Sequence, residues 1–303
     1  IKSYTNIFKK VKEIIQADNE IELTYEDLSW LSNTKRAIKL FKSKKLADST
    51  IKSYYNSISI VLNAEGENEL SNRYGALRDE LNKKYVKEQS TGIISEKQAP
   101  NFVSKEAFEK MISDIEGIEN KTLSEIQLLL LLKLYQENPS RNELAEFTKV
   151  SKDKYNKELR GVKDTNFVVI RKKRVVFIVN NYKTKDKYGR YRIMLPSSSV
   201  LLVKEMIKKQ EEKFKDLEYN KDSLFLNDSG NPLTKNNLTK ILTRASEKYI
   251  EGSPKISTTM IRKIYASDLS AEKNVKAQKL ANKMNHSMDV HNQIYVKSKK
   301  SDD

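Results

Sequence analysis

Phe167-Val168-Val169-Ile170, Arg174-Val175-Val176-Phe177-Ile178-Val179 and Arg190-Tyr191-Arg192-Ile193-Met194-Leu195 carry the only strong β signal in the chain. Each run is rich in β-branched and aromatic residues. Basic turns separate them: Arg171-Lys172-Lys173, then Lys183-Thr184-Lys185-Asp186-Lys187-Tyr188-Gly189. Elsewhere the apolar residues recur at helical spacing. The fold class expected is therefore mostly α with a small three-stranded antiparallel sheet.

Downstream of the β region, helices are expected over 197–215, 234–249, 257–270 and 272–284. Upstream, Ile126–Tyr135 holds the longest apolar run, Leu128 to Leu132, and Pro139 follows the helix that carries it. That run is far below the roughly 20 residues of a membrane span and reads as a buried helix. Ser104 can cap a helix holding Phe108, Met111 and Ile112. Residues 87–102 lose periodicity and contain Gly92 and Pro100. The expected organisation is a helical domain over 1–88, a linker over 89–103 and a second domain over 104–303.

The first domain reads as a small bundle with basic outer faces. Ile7, Phe8, Val11, Ile14 and Ile15 share one helical face. Tyr25–Leu31 is expected as a short helix. Thr34 is expected to cap a third, carrying Ala37, Ile38 and Phe41, and Ser49 or Thr50 a fourth, with Ile51, Tyr54, Tyr55, Ile58 and Leu62 inward. Leu70, Tyr74, Leu77, Leu81 and Tyr85 mark the fifth. No internal repeat and no long low-complexity tract interrupts the pattern.

Composition narrows the chemistry. The 303 residues contain no Cys, which excludes disulfides, thiol nucleophiles and Cys-based zinc sites. The start, Ile1-Lys2-Ser3-Tyr4, is unlike a signal peptide, and beginning on Ile suggests a fragment. Net charge is +16, from 57 Lys and Arg against 41 Asp and Glu. A Lys-rich compositional bias could produce this alone, but basic residues interleaved with 15 Tyr favour a polyanion such as nucleic acid over a membrane surface. His is scarce, with two in the chain, so His286 and His291 draw attention. The pair has no nearby partner set for a metal.

Tyr295 stands nine residues after His286. On one continuous helix that interval is about 2.5 turns and leaves the two on opposite faces. They converge only if the chain turns between them. Asp289 is expected to cap the helix that holds Tyr295, and Ala277, Leu280, Ala281 and Met284 to anchor the helix before it. Breaking a DNA strand with side chains alone needs a nucleophile, cations on the non-bridging oxygens and an acid for the departing 5′-oxygen. Tyr, Arg, Lys and His can supply these.

Several motifs occur together and in order. Pro139-Ser140-Arg141-Asn142-Glu143-Leu144 follows the Leu-rich helix, and Tyr182-Lys183-Thr184 enters the second basic turn. Thr259-Met260-Ile261-Arg262-Lys263 and Met284-Asn285-His286-Ser287 follow, then Tyr295. Each alone is weak, since a lone Arg is ordinarily a solvated charge and a lone Tyr a packed aromatic. Together, segment 104–296 resembles the catalytic domain of tyrosine recombinases, the DNA integrases and resolvases that share chemistry with type IB topoisomerases. Residues 3–85, with Thr50-Ile51-Lys52-Ser53-Tyr54, resemble the family's helical core-binding domain.

The resemblance implies a two-domain clamp on double-stranded DNA, acting as a dimer or tetramer, with no cofactor, no metal and no membrane. It implies catalytic roles for Arg141, Lys183, Thr259, Arg262, His286 and Tyr295. Lys183 is the expected general acid and Lys185 the alternative. Lys52, Lys172, Lys185, Lys187, Arg190 and Lys263 are the expected DNA contacts. Location follows the target DNA: a prokaryotic cytoplasm, a nucleus or a viral compartment. Thr259 stands where the family has His and cannot shuttle a proton near neutral pH. Asn285 stands where the family has Gly, and Asn tolerates a left-handed backbone. The usual acid three residues after the first Arg is absent, with Glu143 and Glu146 flanking the place. Only eight residues follow Tyr295, too short and polar for the family's exchange helix unless the chain was trimmed, so either this fragment lacks that helix or assembly uses another surface. Two rivals stay open: a type IB topoisomerase-like or telomere-resolving enzyme, and a basic DNA-binding protein without catalysis.

Overall fold

The computed structural model describes residues 2–19, 22–268 and 274–297. The chain divides between Thr91 and Gly92 into two compact units. Gly92 has φ +70°, a left-handed turn that costs a glycine little.

Unit 1 holds α1 (Lys2–Asn19), α2 (Thr34–Ser43), α3 (Asp48–Ala64) and α4 (Asn68–Ser90). Phe8, Val11 and Ile15 of α1 pack with Phe41, Tyr54, Tyr55, Ile58, Leu62 and Tyr74, which lie on the inward faces of the other helices. The buried Tyr74 hydroxyl donates to the Leu31 carbonyl at 2.9 Å, so its one polar atom is satisfied. Trp30 rests on the edge of this core, 5.8 Å from the Phe8 ring.

Three local expectations change here. Tyr25–Leu31 keeps only one 3₁₀ turn, Ser29–Leu31, because the Asp27 carboxylate accepts the Ser29 N–H at 2.8 Å and competes with a helical ladder. Asn33, not Thr34, caps α2 by accepting from Arg36 N at 3.0 Å. Ala47 precedes α3 with no side-chain cap, which puts Ser49 and Thr50 inside its first turn.

Unit 2 is built around α6 (Leu123–Glu137), opened by a capping box between Thr122 and Glu125. Ile126, Leu128–Leu132, Leu134 and Tyr135 are all buried, so this helix is covered on every side. Against it pack α5 (Lys105–Glu116), capped by Ser104, and then α9 (Ser198–Lys213) and α10 (Lys235–Tyr249). Residues 92–103, within the stretch read as linker, join this unit. Ile94 enters its core and the Asn101 side chain accepts from Lys255 N at 2.6 Å.

The sheet is four-stranded and mixed, in the order β1-β2-β3-β4. β2 (Phe167–Ile170), β3 (Val175–Val179) and β4 (Tyr191–Leu195) form the antiparallel part, with Val169 opposite Val176 and Phe177 opposite Ile193. The expected three-stranded sheet gains β1 (Thr148–Val150), which pairs parallel with β2. Val168, Val175, Phe177, Val179, Ile193 and Leu195 face the main core. Phe167, Val169, Val176 and Ile178 face a second cluster with Tyr155, in the short helical stretch formed by α7 (Lys152–Lys154) and a π-turn to Leu159. Both faces of β3 are thus buried, which explains its unbroken apolar run.

Between β3 and β4 lies a single turn, α8 (Lys185–Tyr188). The chain ends through α11 (Thr258–Ser267), α12 (Asn274–Lys283) and α13 (Met288–Val290), which runs into a π-turn, His291–Tyr295. The expected helix starts near 272, the Ala277 side chain and the tail beyond Lys297 lie outside the described residues. Among the described residues no helix is long and apolar enough to cross a membrane.

Candidate active site

Asn285 makes the turn that joins His286 to Tyr295. At φ +52° it occupies the left-handed region just past α12. The His286 N–H donates to Ala281 O and the Asn285 N–H to Asn282 O, each at 3.1 Å. These are the two bonds of a Schellman C-cap. Ser287 then starts a new helix by accepting from Val290 N at 3.3 Å. The expected cap, Asp289, sits instead in the first turn, where its carboxylate favours the helix dipole. The π-turn closes with Val296 N donating to His291 O at 3.0 Å. The His286 and Tyr295 rings stack, with centroids 4.7 Å apart and planes at 11°. Asn285→Gly is expected to keep wild-type stability, and Asn285→Val to lose about 1–2 kcal/mol of it, as a β-branched residue resists this backbone. Urea denaturation of the two variants checks this, and equal midpoints would refute it.

Arg262 is the largest fully buried side chain, 1% exposed. α11 places it, starting at Ser257, whose hydroxyl accepts from Met260 N. Its Nη2 donates to Met284 O at 3.2 Å and to His286 Nδ1 at 3.0 Å. Its guanidinium carbon lies 4.3 Å above the Tyr295 ring. Its Nε has no partner among the described residues. Burial brings its pKa down to about 10; Tyr295 raises it, and the neighbouring Arg141 lowers it again. The group stays cationic at neutral pH.

Arg141 is pinned through its backbone. Its N–H donates to Glu143 Oε1 at 3.2 Å, and its carbonyl accepts from Tyr135 Oη at 2.9 Å. No carboxylate pairs with its guanidinium among the described residues. Glu143 is buried, while Glu146 pairs with Lys235 at the surface, 3.2 Å away. Thr258 Oγ1 donates to Asn142 Oδ1 at 2.5 Å and ties α11 to the Arg141 turn. Arg141 thus lies within electrostatic range of Arg262, the cation that covers the Tyr295 ring, and an anion would stabilise this pair of guanidinium groups.

The turn carrying Lys183 lies against the same place. Thr184 Oγ1 donates to Asn285 O at 3.4 Å. Tyr182 donates to Gly189 O at 2.6 Å and meets Tyr191 edge-on at 5.1 Å. Tyr191 Oη in turn lies 3.0 Å from Ser140 Oγ, next to Arg141. Lys183 is exposed and Lys185 half-buried, with its Nζ donating to Asn181 Oδ1 at 3.3 Å. Thr259 is exposed on the first turn of α11, and Lys172 and Lys187 are exposed in their turns.

Two expected DNA contacts are placed otherwise. Lys263 is 5% exposed and donates to Gln98 Oε1 at 2.7 Å, so its expected DNA contact is corrected. Burial, then Lys297, brings its pKa down to about 8. Arg190 spends its guanidinium on Asn180 Oδ1 and Arg160 O, both at 2.6 Å. Lys52, in unit 1, donates to Asn82 Oδ1 at 3.2 Å and lies 5.0 Å from the centre of the Tyr85 ring.

His291 belongs to the cluster too. Its Nδ1 lies 3.0 Å from His286 Nε2, and the residue is fully buried. Its sequence signal was only the rarity of His and its position four residues before Tyr295. Burial, then Arg262, His291 and Arg141, hold His286 at about 3. His291 is lowered by burial and Arg262. Both stay neutral in the fold and become cationic on unfolding below about pH 6.5. Their stabilisation is therefore complete above that pH and is lost as pH falls. The free energy of unfolding is expected to drop by about 1.4 kcal/mol per pH unit for His286 between roughly pH 6.5 and 5. Urea denaturation followed by far-UV circular dichroism tests this. A profile no flatter in His286→Asn than in wild type would refute it.

The family model described as "Phage integrase family" matches residues 157–302. This span contains Lys183, Arg262, His286 and Tyr295 but not Arg141. No curated protein matches the chain. Among solved structures, the chain is similar to XerH site-specific recombinase bound to difH substrate in a pre-cleavage complex. That match has 15% identity, covers 82% of this chain and 67% of the other, and has a TM-score of 0.44. A post-cleavage complex of XerH with a palindromic difH substrate matches at 15% identity over 82% and 69%, TM-score 0.42. XerA recombinase matches at 11% identity over 99% and 87%, TM-score 0.42.

Proposed function

Residues 157–302 belong to the phage integrase family, and from that premise we propose that the chain is a site-specific tyrosine recombinase that cuts and rejoins DNA through a 3′-phosphotyrosyl intermediate. The observation that carries this reading is the buried Arg262 set against Tyr295 and His286, with Arg141 in electrostatic range. Tyr295 Oη gives up its proton to water as it attacks phosphorus, and the bond to the 5′-oxygen breaks. The leaving 5′-oxygen takes its proton from Lys183, and a 5′-hydroxyl from a partner strand later reverses the step. Arg141 and Arg262 hold the non-bridging oxygens as charge builds on them. His286, neutral and hydrogen-bonded to Arg262, orients that guanidinium.

Duplex DNA is the substrate, bound by a dimer or tetramer wherever the target DNA resides. Phosphate neutralisation by the basic surface makes that binding steeply salt-dependent.

A randomised pool of duplexes, each nicked so that the released fragment diffuses away, tests the reading without knowledge of the target sequence. The expected product is a detergent-stable adduct whose tryptic peptide 284–297 carries a nucleotide on Tyr295. No adduct across the whole pool would sink the proposal.

A further inference from the structure

His291 has no role in the chemistry described above, yet it is fully buried against the residues that do. Its place is set by the π-turn, which puts it four positions before Tyr295 and against the ring of His286. The two imidazole centroids are 5.2 Å apart with planes at 33°, and the contact is an N···N hydrogen bond of 3.0 Å.

Hydrogen-bond complementarity fixes where the protons lie. Arg262 Nη2 can only donate, so His286 Nδ1, 3.0 Å away, must accept. A neutral imidazole with a bare Nδ1 carries its proton on Nε2. That proton points to His291 Nδ1, which must therefore be bare as well. The His291 proton is left on Nε2, an atom that is buried and has no partner among the described residues. A group kept buried with a polar atom unpaired is poorly explained by stability. Without an acceptor at this position nothing on that side holds the His286 proton on Nε2, and an N–H on its Nδ1 would face the Arg262 donor.

We propose that His291 is a positioning residue for DNA cleavage: its Nδ1 accepts the Nε2–H of His286 and so keeps a bare Nδ1 on the guanidinium of Arg262. The proposal rests on the reading of this site as a DNA-cleaving centre. No proton or bond is transferred through His291. Its effect is on the orientation of Arg262, and it reaches the phosphate only through that cation.

The chain has two histidines, so a protein labelled with ¹⁵N-histidine shows four ring nitrogens and can be assigned with one variant. In free wild-type protein His286 is expected to show a protonated Nε2 and a bare Nδ1. His291→Asn keeps an acceptor oxygen near the former Nδ1 and is expected to preserve both that pattern and the cleavage rate. His291→Leu is expected to mix the His286 tautomers. It should slow cleavage of the nicked duplexes roughly 10-fold, with DNA affinity unchanged. If His291→Leu does not fold, His291→Asn and the wild-type spectrum still decide the matter. A wild-type His286 protonated on Nδ1 overturns the role of His291 alone. So does a His291→Leu protein that folds and cleaves at the wild-type rate. A wild-type protein that cleaves no duplex sinks the DNA-cleavage reading, whatever the spectrum shows.

Discussion

Tyr295→Phe is expected to lower covalent adduct formation by on the order of 10⁴-fold or more while leaving the fold and DNA binding in place. The substitution removes one atom, the phenolic oxygen that attacks phosphorus. The ring that stacks on His286 at 4.7 Å and lies beneath Arg262 at 4.3 Å is retained, so the packing of the site does not change. Gel-shift titration gives the affinity, and the nicked-duplex pool gives the adduct. Persistence of adduct in the variant would move the nucleophile elsewhere. Tyr265 is a poor replacement, since its ring is buried edge-on against Phe108 at 6.0 Å.

The second large effect concerns the leaving group. Lys183→Ala is expected to slow cleavage by about 10²–10⁴-fold, the range of a lost general acid. A sulfur atom in place of the bridging 5′-oxygen leaves as a thiolate and needs no proton. On that substrate Lys183→Ala should regain most of the wild-type rate, whereas loss of a cation clamp would not be repaired. Lys185→Ala provides the contrast, because its ammonium is already held by Asn181 Oδ1. Rescue by sulfur in Lys185→Ala and not in Lys183→Ala would exchange their assignments.

The legible parts of this protein were those written in local periodicity. β3 announces itself because both of its faces are buried. α6 does so because it is apolar all round. The unseen strand β1, Thr148-Lys149-Val150, is three residues long and is held by parallel pairing to residues far along the chain, so no alternation marks it. Ser287 and Asp289 are both good caps, and which one begins the helix depends on the backbone reversal at Asn285. Lys263, named among the expected DNA contacts, is basic and adjoins Arg262. A one-residue step on a helix turns a side chain about 100°, and that step aims Lys263 at Gln98 in the stretch taken as linker. The association of His291 with His286 is a contact across a turn, and its marks in the sequence are the rarity of His and the place of His291 four residues before Tyr295.

The division at Thr91 also separates the natural spectroscopic probes. The lone tryptophan, Trp30, rests on the core of unit 1, while both histidines lie inside unit 2. Tryptophan fluorescence, excited beyond the tyrosine band, therefore reports on one half of the molecule and imidazole resonances on the other. The two halves can be watched in the same sample, without dyes or cuts, as DNA is added.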